Sequence, residues 1–350
     1  MDKKKVLRGT GIVLLILTLI AVLFLGGLCI YHQSELKKER EAIHHLVGQY
    51  VEVNGKNMNL YVDGTGEQTM IFLPGSMTPS PILDFKPLYT RLTDKYKVVV
   101  IEKFGYGYSD EYDGDRSVDV ITEQDRKALE SLDITGPYIL VPHSASGLEA
   151  VYWANTYPEE IEAIIGLDPA VPEQYDYTPG PHITEMEPQD IDDAVRAMAV
   201  SDFFNYRIGL MRLFMNPDEM SAALRSDALS EEEKEQYRAL FYTKFCAGSG
   251  STMMRETICD EHALDVLLKI YHCQIPDVPT LFFVSNDEAM LANAYGSIDN
   301  WHRIHKNYIS EVTDGEIVYL DCGHYVHAEK PDEVSHAMRA FIESLDRREK

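Results

Sequence analysis

Apolar residues fill nearly every position from Gly11 to Tyr31, "GIVLLILTLIAVLFLGGLCIY", and beyond them the pattern breaks into short alternating segments. The first run is uncharged over about 21 residues, enough to cross roughly 30 Å of hydrocarbon as a helix. Lys3, Lys4, Lys5 and Arg8 precede it, a bias that keeps an N-terminus on the inner side of a membrane. A cleaved signal peptide would need a shorter apolar core and a small-x-small site, and "GGLCIYHQ" offers none. The chain is therefore expected to carry a cytoplasmic tail over 1–10, a single membrane-crossing helix over 11–31 and a charged, helix-prone connector over 32–48, with the remainder outside the cell.

After the connector, strand and helix signals alternate. "QYVEVNGKNMNLYVDG" predicts a hairpin turning at Asn54-Gly55, "TMIFLP" a buried strand and "YKVVVIEKFG" another. A helix over "VDVITEQDRKALESL" leads to the strand "PYILVP", a helix over 145–157 and the strand "IEAIIGLD". Past Asp168 the rhythm stops for roughly 100 helix-rich residues. It resumes with "VPTLFFVSND", "EIVYLD" and a last helix from Pro331 to about Leu345. Strands separated by helices predict an α/β protein with a mostly parallel, doubly wound sheet. The expected units are a core over 49–172 and 276–350 and a helical cap over 173–275, inserted after the sixth strand.

Charge and cysteine content narrow the partners. With a net charge of −25, carried against a basic N-terminus, the domain beyond the anchor is acidic and unsuited to nucleic acid. Five cysteines without a C-x-x-C pair give no zinc or redox signature. Cys246, Cys259, Cys273 and Cys322 could pair outside a cell, with free thiols the default expectation. No metal is expected, and the sequence leaves the oligomeric state open.

The candidate chemistry centres on "YILVPHSASGLEA", where a serine sits between a strand and a helix among small residues. A serine hydroxyl becomes a nucleophile only when an imidazole accepts its proton and a carboxylate fixes the tautomer of that imidazole. The segment resembles the nucleophile elbow G-x-S-x-G of the α/β-hydrolases, with Pro142 and Ser146 in place of the two glycines. "FLPGSMTPSP" is similar to the family's oxyanion loop, with Pro74 where a histidine is usual, and "FGYGYSD" to its G-x-G-x-S segment. "DCGHYVHAEKPDEV" is similar to the terminal histidine loop. The resemblance implies Ser144 as nucleophile, His324 as base and the backbone N–H groups of Ser76 and Ala145 as the oxyanion hole, with no cofactor. Two stations compete for the acid. Asp168, ending "IIGLD", resembles the acid of the pancreatic lipases and is the expected acid, with Asp287 or Glu288, at the later position used by most of the family, as the alternative. His143 and His327 are rival bases, read as packing beside the elbow and as a helix-entry or lid contact; His302 and His305 are expected at the surface.

The insertion resembles the cap of the branch that holds proline iminopeptidases, esterases, lipases and carbon-carbon bond hydrolases. Its "AVRAMAVSDFFNYRIGLMRLFMNPDEM" is rich in Met, Leu and Phe, which suits an apolar acyl pocket and equally suits helix packing. "LSEEEKEQYRALF" opens with a capping box and predicts a solvated helix, and the Gly and Ser of "CAGSGSTMM" predict a protease-sensitive loop. The expected activity is a membrane-anchored serine hydrolase acting on a small-molecule or lipid-like acyl substrate. An acyltransferase with the same triad and a non-catalytic binding protein are the alternatives. Epoxide hydrolysis and dehalogenation are disfavoured, because related enzymes have Asp at the position of Ser144.

Overall fold

The computed structural model describes residues 3–245, 252–253, 255–256 and 260–348. The apolar run lies inside one unbroken helix, α1 (Lys3–Ala42), which continues through the expected connector. Its side chains are bare over most of the run, and among the described residues it is the one helix long and apolar enough to cross a membrane by length and composition.

The sheet follows from strands that differ in how they are covered. β1 (Gln49–Val53) and β2 (Lys56–Asp63) form the hairpin at Asn54-Gly55. β3 (Thr69–Leu73) and β5 (Tyr138–Pro142) are buried at every residue, as apolar runs in a parallel sheet require. With β4 (Lys97–Glu102), β6 (Ile161–Leu167), β7 (Thr280–Ser285) and β8 (Gly315–Leu320) they complete eight strands in the order β1-β2-β4-β3-β5-β6-β7-β8. β3 to β8 run parallel, and β2 pairs antiparallel with β4.

Helices cover both faces. α2 (Pro81–Tyr89) lies on one, with Ile82, Phe85 and Leu88 packed into a core that also takes Val334, Met338 and Phe341 of the C-terminal helix Pro331–Arg348. α3 (Val118–Glu130) and α4 (Ser146–Thr156) lie on the other, with Leu129, Leu148 and Trp153 in the second core. The sequence pattern gave no sign of α2. It opens on Pro81 and holds Pro87 near its end, yet a proline in the first turn forfeits no helical bond.

Between β6 and β7 the described residues form helices joined by loops, with no strand among them, so the insertion follows the sixth strand. It holds α5 (Pro188–Ser201), α6 (Leu210–Phe214), α7 (Pro217–Met220), α8 (Ala222–Arg225), α9 (Glu231–Leu240) and α10 (Glu261–Tyr271). The capping box of α9 is formed by Ser230 and Glu233, but Gln236, Tyr237 and Leu240 are buried, so only one face of this helix is solvated. Cys29, Cys273 and Cys322 are free thiols. Cys246, Cys259 and most of the "CAGSGSTMM" loop lie outside the described residues.

Trp153 is fully buried, and its indole N–H donates to Glu160 at 2.8 Å. Trp153→Ala should therefore lower stability by about 3–5 kcal/mol, measured as a reduced urea midpoint.

Candidate active site

β3, β5 and β6 are adjacent parallel strands, so the loops leaving their carboxyl ends meet at one edge of the sheet. β5 turns into α4 within a few residues, and Ser144 adopts φ 52, the left-handed region that strains an L side chain. Neighbouring bonds hold it there. The Ser146 hydroxyl donates to Leu73 O at 2.7 Å and accepts the His143 N–H at 3.1 Å, while Ala170 N–H donates to Ser144 O at 2.7 Å. A Cβ on Gly147 would lie 2.1 Å from Ala170 O, so glycine is needed where α4 starts against the loop after β6. The close approach thus falls on Gly147, one residue beyond the family's second glycine, and Ser146 ties the turn together instead.

Asp168 follows β6 and is wholly buried, also with positive φ, at 48. Its Oδ2 lies 2.6 Å from His324 Nδ1, and its Oδ1 accepts the Ser285 N–H and the Trp301 indole N–H, each at 2.9 Å. Burial pushes this carboxyl up. The hydrogen bond and charge of His324, the charge of His305 and the Ser285 N–H outweigh it and hold the carboxyl below its ordinary range. An ionised Asp168 keeps the proton on Nδ1 of His324 and leaves Nε2 as the acceptor. The other two candidate acids sit past the end of β7: Asp287 donates its N–H to the Ser285 hydroxyl, and Glu288 begins the helix Glu288–Tyr295. The bond to His324 comes from Asp168.

His143, next to Ser144, has its ring 4.6 Å from that of His324 and donates through Nε2 to His324 O at 3.2 Å. Burial, then the charges of His324 and His327, push its pKa well below the usual value, so it braces the His324 loop as a neutral ring. His327 is buried against Asp84 of α2, 2.8 Å from Oδ2, and Asp84 Oδ1 accepts the Tyr237 hydroxyl of α9 at 3.1 Å. His305 corrects an expectation: it is fully buried, bridging Trp301 O and Pro169 O at 2.7 Å each. Trp301, His305 and Tyr308 share the buried face of the helix Ile298–Ser310, a periodicity that outweighs the polarity of imidazole. His302 is half-buried, 3.2 Å from Ser285 O.

Ser76 and Ala145 line one cavity of ≈ 650 Å³, with Leu148, Met186, Met198 and Leu267 among its apolar walls. Among the described residues neither Ser76 N–H nor Ala145 N–H has a protein acceptor, so both can serve an oxyanion. Glu256 also reaches this wall. It pairs with the buried Arg116 and accepts the Tyr106 hydroxyl at 2.5 Å, while Lys103 and Glu149 form a second buried pair near by. Sequence reading missed this charged floor, because Arg116 and Glu256 lie 140 residues apart and neither stands in a motif.

The sheet order, the strained serine after β5 and the Asp168–His324 pair define an α/β-hydrolase. The chain has this fold, and it belongs to one family with the uncharacterized protein YbdG of Bacillus subtilis, with which it is 36% identical over 234 residues, 67% of this chain and 68% of that one. A second relative, 2-(acetamidomethylene)succinate hydrolase of Mesorhizobium japonicum, is 25% identical over 36% of this chain and 44% of its own length. An epoxide hydrolase from Bacillus megaterium, solved as a mutant with its product, superposes with a TM-score of 0.61 over 84% of this chain and all of its own, at 20% identity. No family model matches the sequence.

A carboxyl held below its ordinary range stabilises the fold above its unfolded pKa, and that contribution is lost as pH falls through the folded pKa. Asp168→Asn should therefore flatten the acid limb of a stability-against-pH curve, followed by urea unfolding at a series of pH values.

Proposed function

We propose that the protein is a membrane-anchored serine hydrolase that cleaves an ester or amide bond of a small or lipid-like acyl substrate through an acyl-enzyme. The observation that carries this reading is that Ser144, at φ 52, follows β5 while Asp168, which follows the neighbouring β6, holds His324 Nδ1 at 2.6 Å. Ser144 Oγ attacks the acyl carbon while its proton passes to His324 Nε2. The developing oxyanion takes N–H donors from Ser76 and Ala145. Collapse of the tetrahedral adduct expels the leaving group with the proton from His324, and water then repeats the sequence to free the acid and Ser144. No metal or organic cofactor enters these steps.

Hydrolysis is also the chemistry named for the Mesorhizobium relative. The likeness to an epoxide hydrolase extends to the fold. A carboxylate nucleophile opens an epoxide to an ester that water can cleave, whereas a serine would be left as a stable ether. In this reading α1 is a single-pass anchor that places the domain on the outer side of the cell membrane, where its substrates are extracellular or lipid-proximal.

A fluorophosphonate probe should label the wild-type chain at Ser144 and leave Ser144→Ala unlabelled. Ser144→Ala and His324→Ala should each reduce turnover of an activated ester by about 10³-fold or more with unchanged circular dichroism. Asp168→Asn should cost far more than Asp287→Asn or Glu288→Gln. Retained turnover in Ser144→Ala would refute the nucleophile, and the reverse ranking of acids would move the carboxylate to the strand after β6.

A further inference from the structure

α1 does not stand clear of the domain. Where its apolar run ends, the cap is fastened to it by a series of polar contacts. Cys29 Sγ lies 3.7 Å from Arg207 O, His32 Nε2 is 2.8 Å from Tyr206 O, and Gln33 donates to Arg207 O at 3.2 Å. About two turns further along α1, Glu39 makes a two-pronged pair with the Arg212 guanidinium, 2.7 Å on each arm, and the same guanidinium bonds His32 Nδ1 at 3.0 Å. A Cβ on Gly209 would meet His32 Cγ at 2.4 Å, and Gly209 has φ 92, so both the conformation and the contact demand glycine here. The contact reaches into the apolar run itself, since Leu28 is only 7% exposed. At ~1.5 Å per residue, Leu28 lies about one turn below Tyr31, the last residue of that run.

On either side of this fastened segment the cap exposes large apolar side chains. Phe203 and Phe204 are 51% and 40% exposed in the π-helical turn Asp202–Arg207, and Leu213 and Phe214 are 47% and 82% exposed at the end of α6. If α1 crosses a bilayer, a surface locked to residues 29–33 sits at the boundary of head groups and acyl chains, the depth at which an apolar face of this kind is stable. The same cap segment leads to the site. α5 ends at Ser201, two residues before Phe203, and its Ala194 and Met198 line the cavity that holds Ser76 and Ala145.

We propose that the face made by Phe203, Phe204, Leu213 and Phe214 is seated in the phospholipid bilayer that α1 crosses, and that the cavity beside Ser144 is filled from the membrane by a lipid carrying an acyl ester. The seating rests on the anchor and the choice of substrate rests on the serine hydrolase reading; the two are tested separately. The acidic domain is repelled by anionic lipids, so zwitterionic phosphatidylcholine is the appropriate surface.

The full chain carrying Phe214→Trp is reconstituted in phosphatidylcholine vesicles with and without bromine on the acyl chains. Trp153 and Trp301 are buried in the core and provide an internal signal that bromine does not reach. The added tryptophan should be quenched by the brominated lipid and shielded from aqueous iodide, whereas Tyr319→Trp on β8 should show the opposite response. Iodide access with no bromine quenching at position 214, or release of the chain from vesicles by alkaline carbonate, would overturn the seating. Phe203→Ser combined with Phe214→Ser should then lower kcat/KM for a vesicle-borne ester by at least about tenfold while a short water-soluble ester is turned over as before. Equal losses on both esters would overturn entry from the membrane. A wild-type chain that hydrolyses neither ester would refute the catalytic reading, and the bromine result would still decide the seating.

Discussion

The Asp168 carboxylate is the junction on which the site depends. One oxygen holds His324, which comes from the loop after β8, and the other holds the N–H of Ser285, the last residue of β7, and the indole of Trp301. A carboxylate buried so completely is unstable unless each oxygen has donors. That requirement draws four separate pieces of chain to one point. His305, bridging Trp301 O and Pro169 O, closes the arrangement from behind. Ser144 is set against this junction by the elbow, and Ala170 N–H on Ser144 O ties the elbow to the loop carrying Asp168.

Around this junction lies a second set of buried polar groups that join the cap to the core. Asp84 on α2 takes His327 on one oxygen and Tyr237 of α9 on the other, so the packing of a cap helix and of the histidine loop share one carboxylate. His143, wedged 4.7 Å from His327 and 4.6 Å from His324, passes the constraint on to the imidazole of the site. On the far wall of the cavity, Glu256 is fixed by Arg116 and Tyr106. The pocket is thus mainly apolar, with one fixed, paired charge on its lining.

The alternation of strands and helices, the all-apolar parallel strands and the hairpin at Asn54-Gly55 were legible because each is a local pattern tied to a local backbone requirement. The small residues after Ser144 were legible for the same reason, and the structure puts the tightest approach among them at Gly147. α2 was not legible, because its two prolines mask a helix whose formation depends on packing Ile82, Phe85 and Leu88 against the sheet. His305 was misread as exposed because polarity was weighed above the periodicity it shares with Trp301 and Tyr308.

The sequence by itself determined the class of fold, the order of its parts and a short set of candidates: Ser144, His324 and three carboxylates. These are properties of adjacent residues, where periodicity and turn chemistry act within one segment. The sequence favoured Asp168 over its rivals, and the tertiary structure shows it meeting His324. Asp168 and Asp287 each follow one of two neighbouring parallel strands, and the difference lies in donors 117 and 133 residues away from Asp168, at Ser285 and Trp301. Tertiary structure alone decided that Glu256 reaches the pocket and that the cap is bound to α1. Such contacts join residues far apart in the chain, and no periodicity records them, because they arise only when separate segments must satisfy one another's buried polar groups.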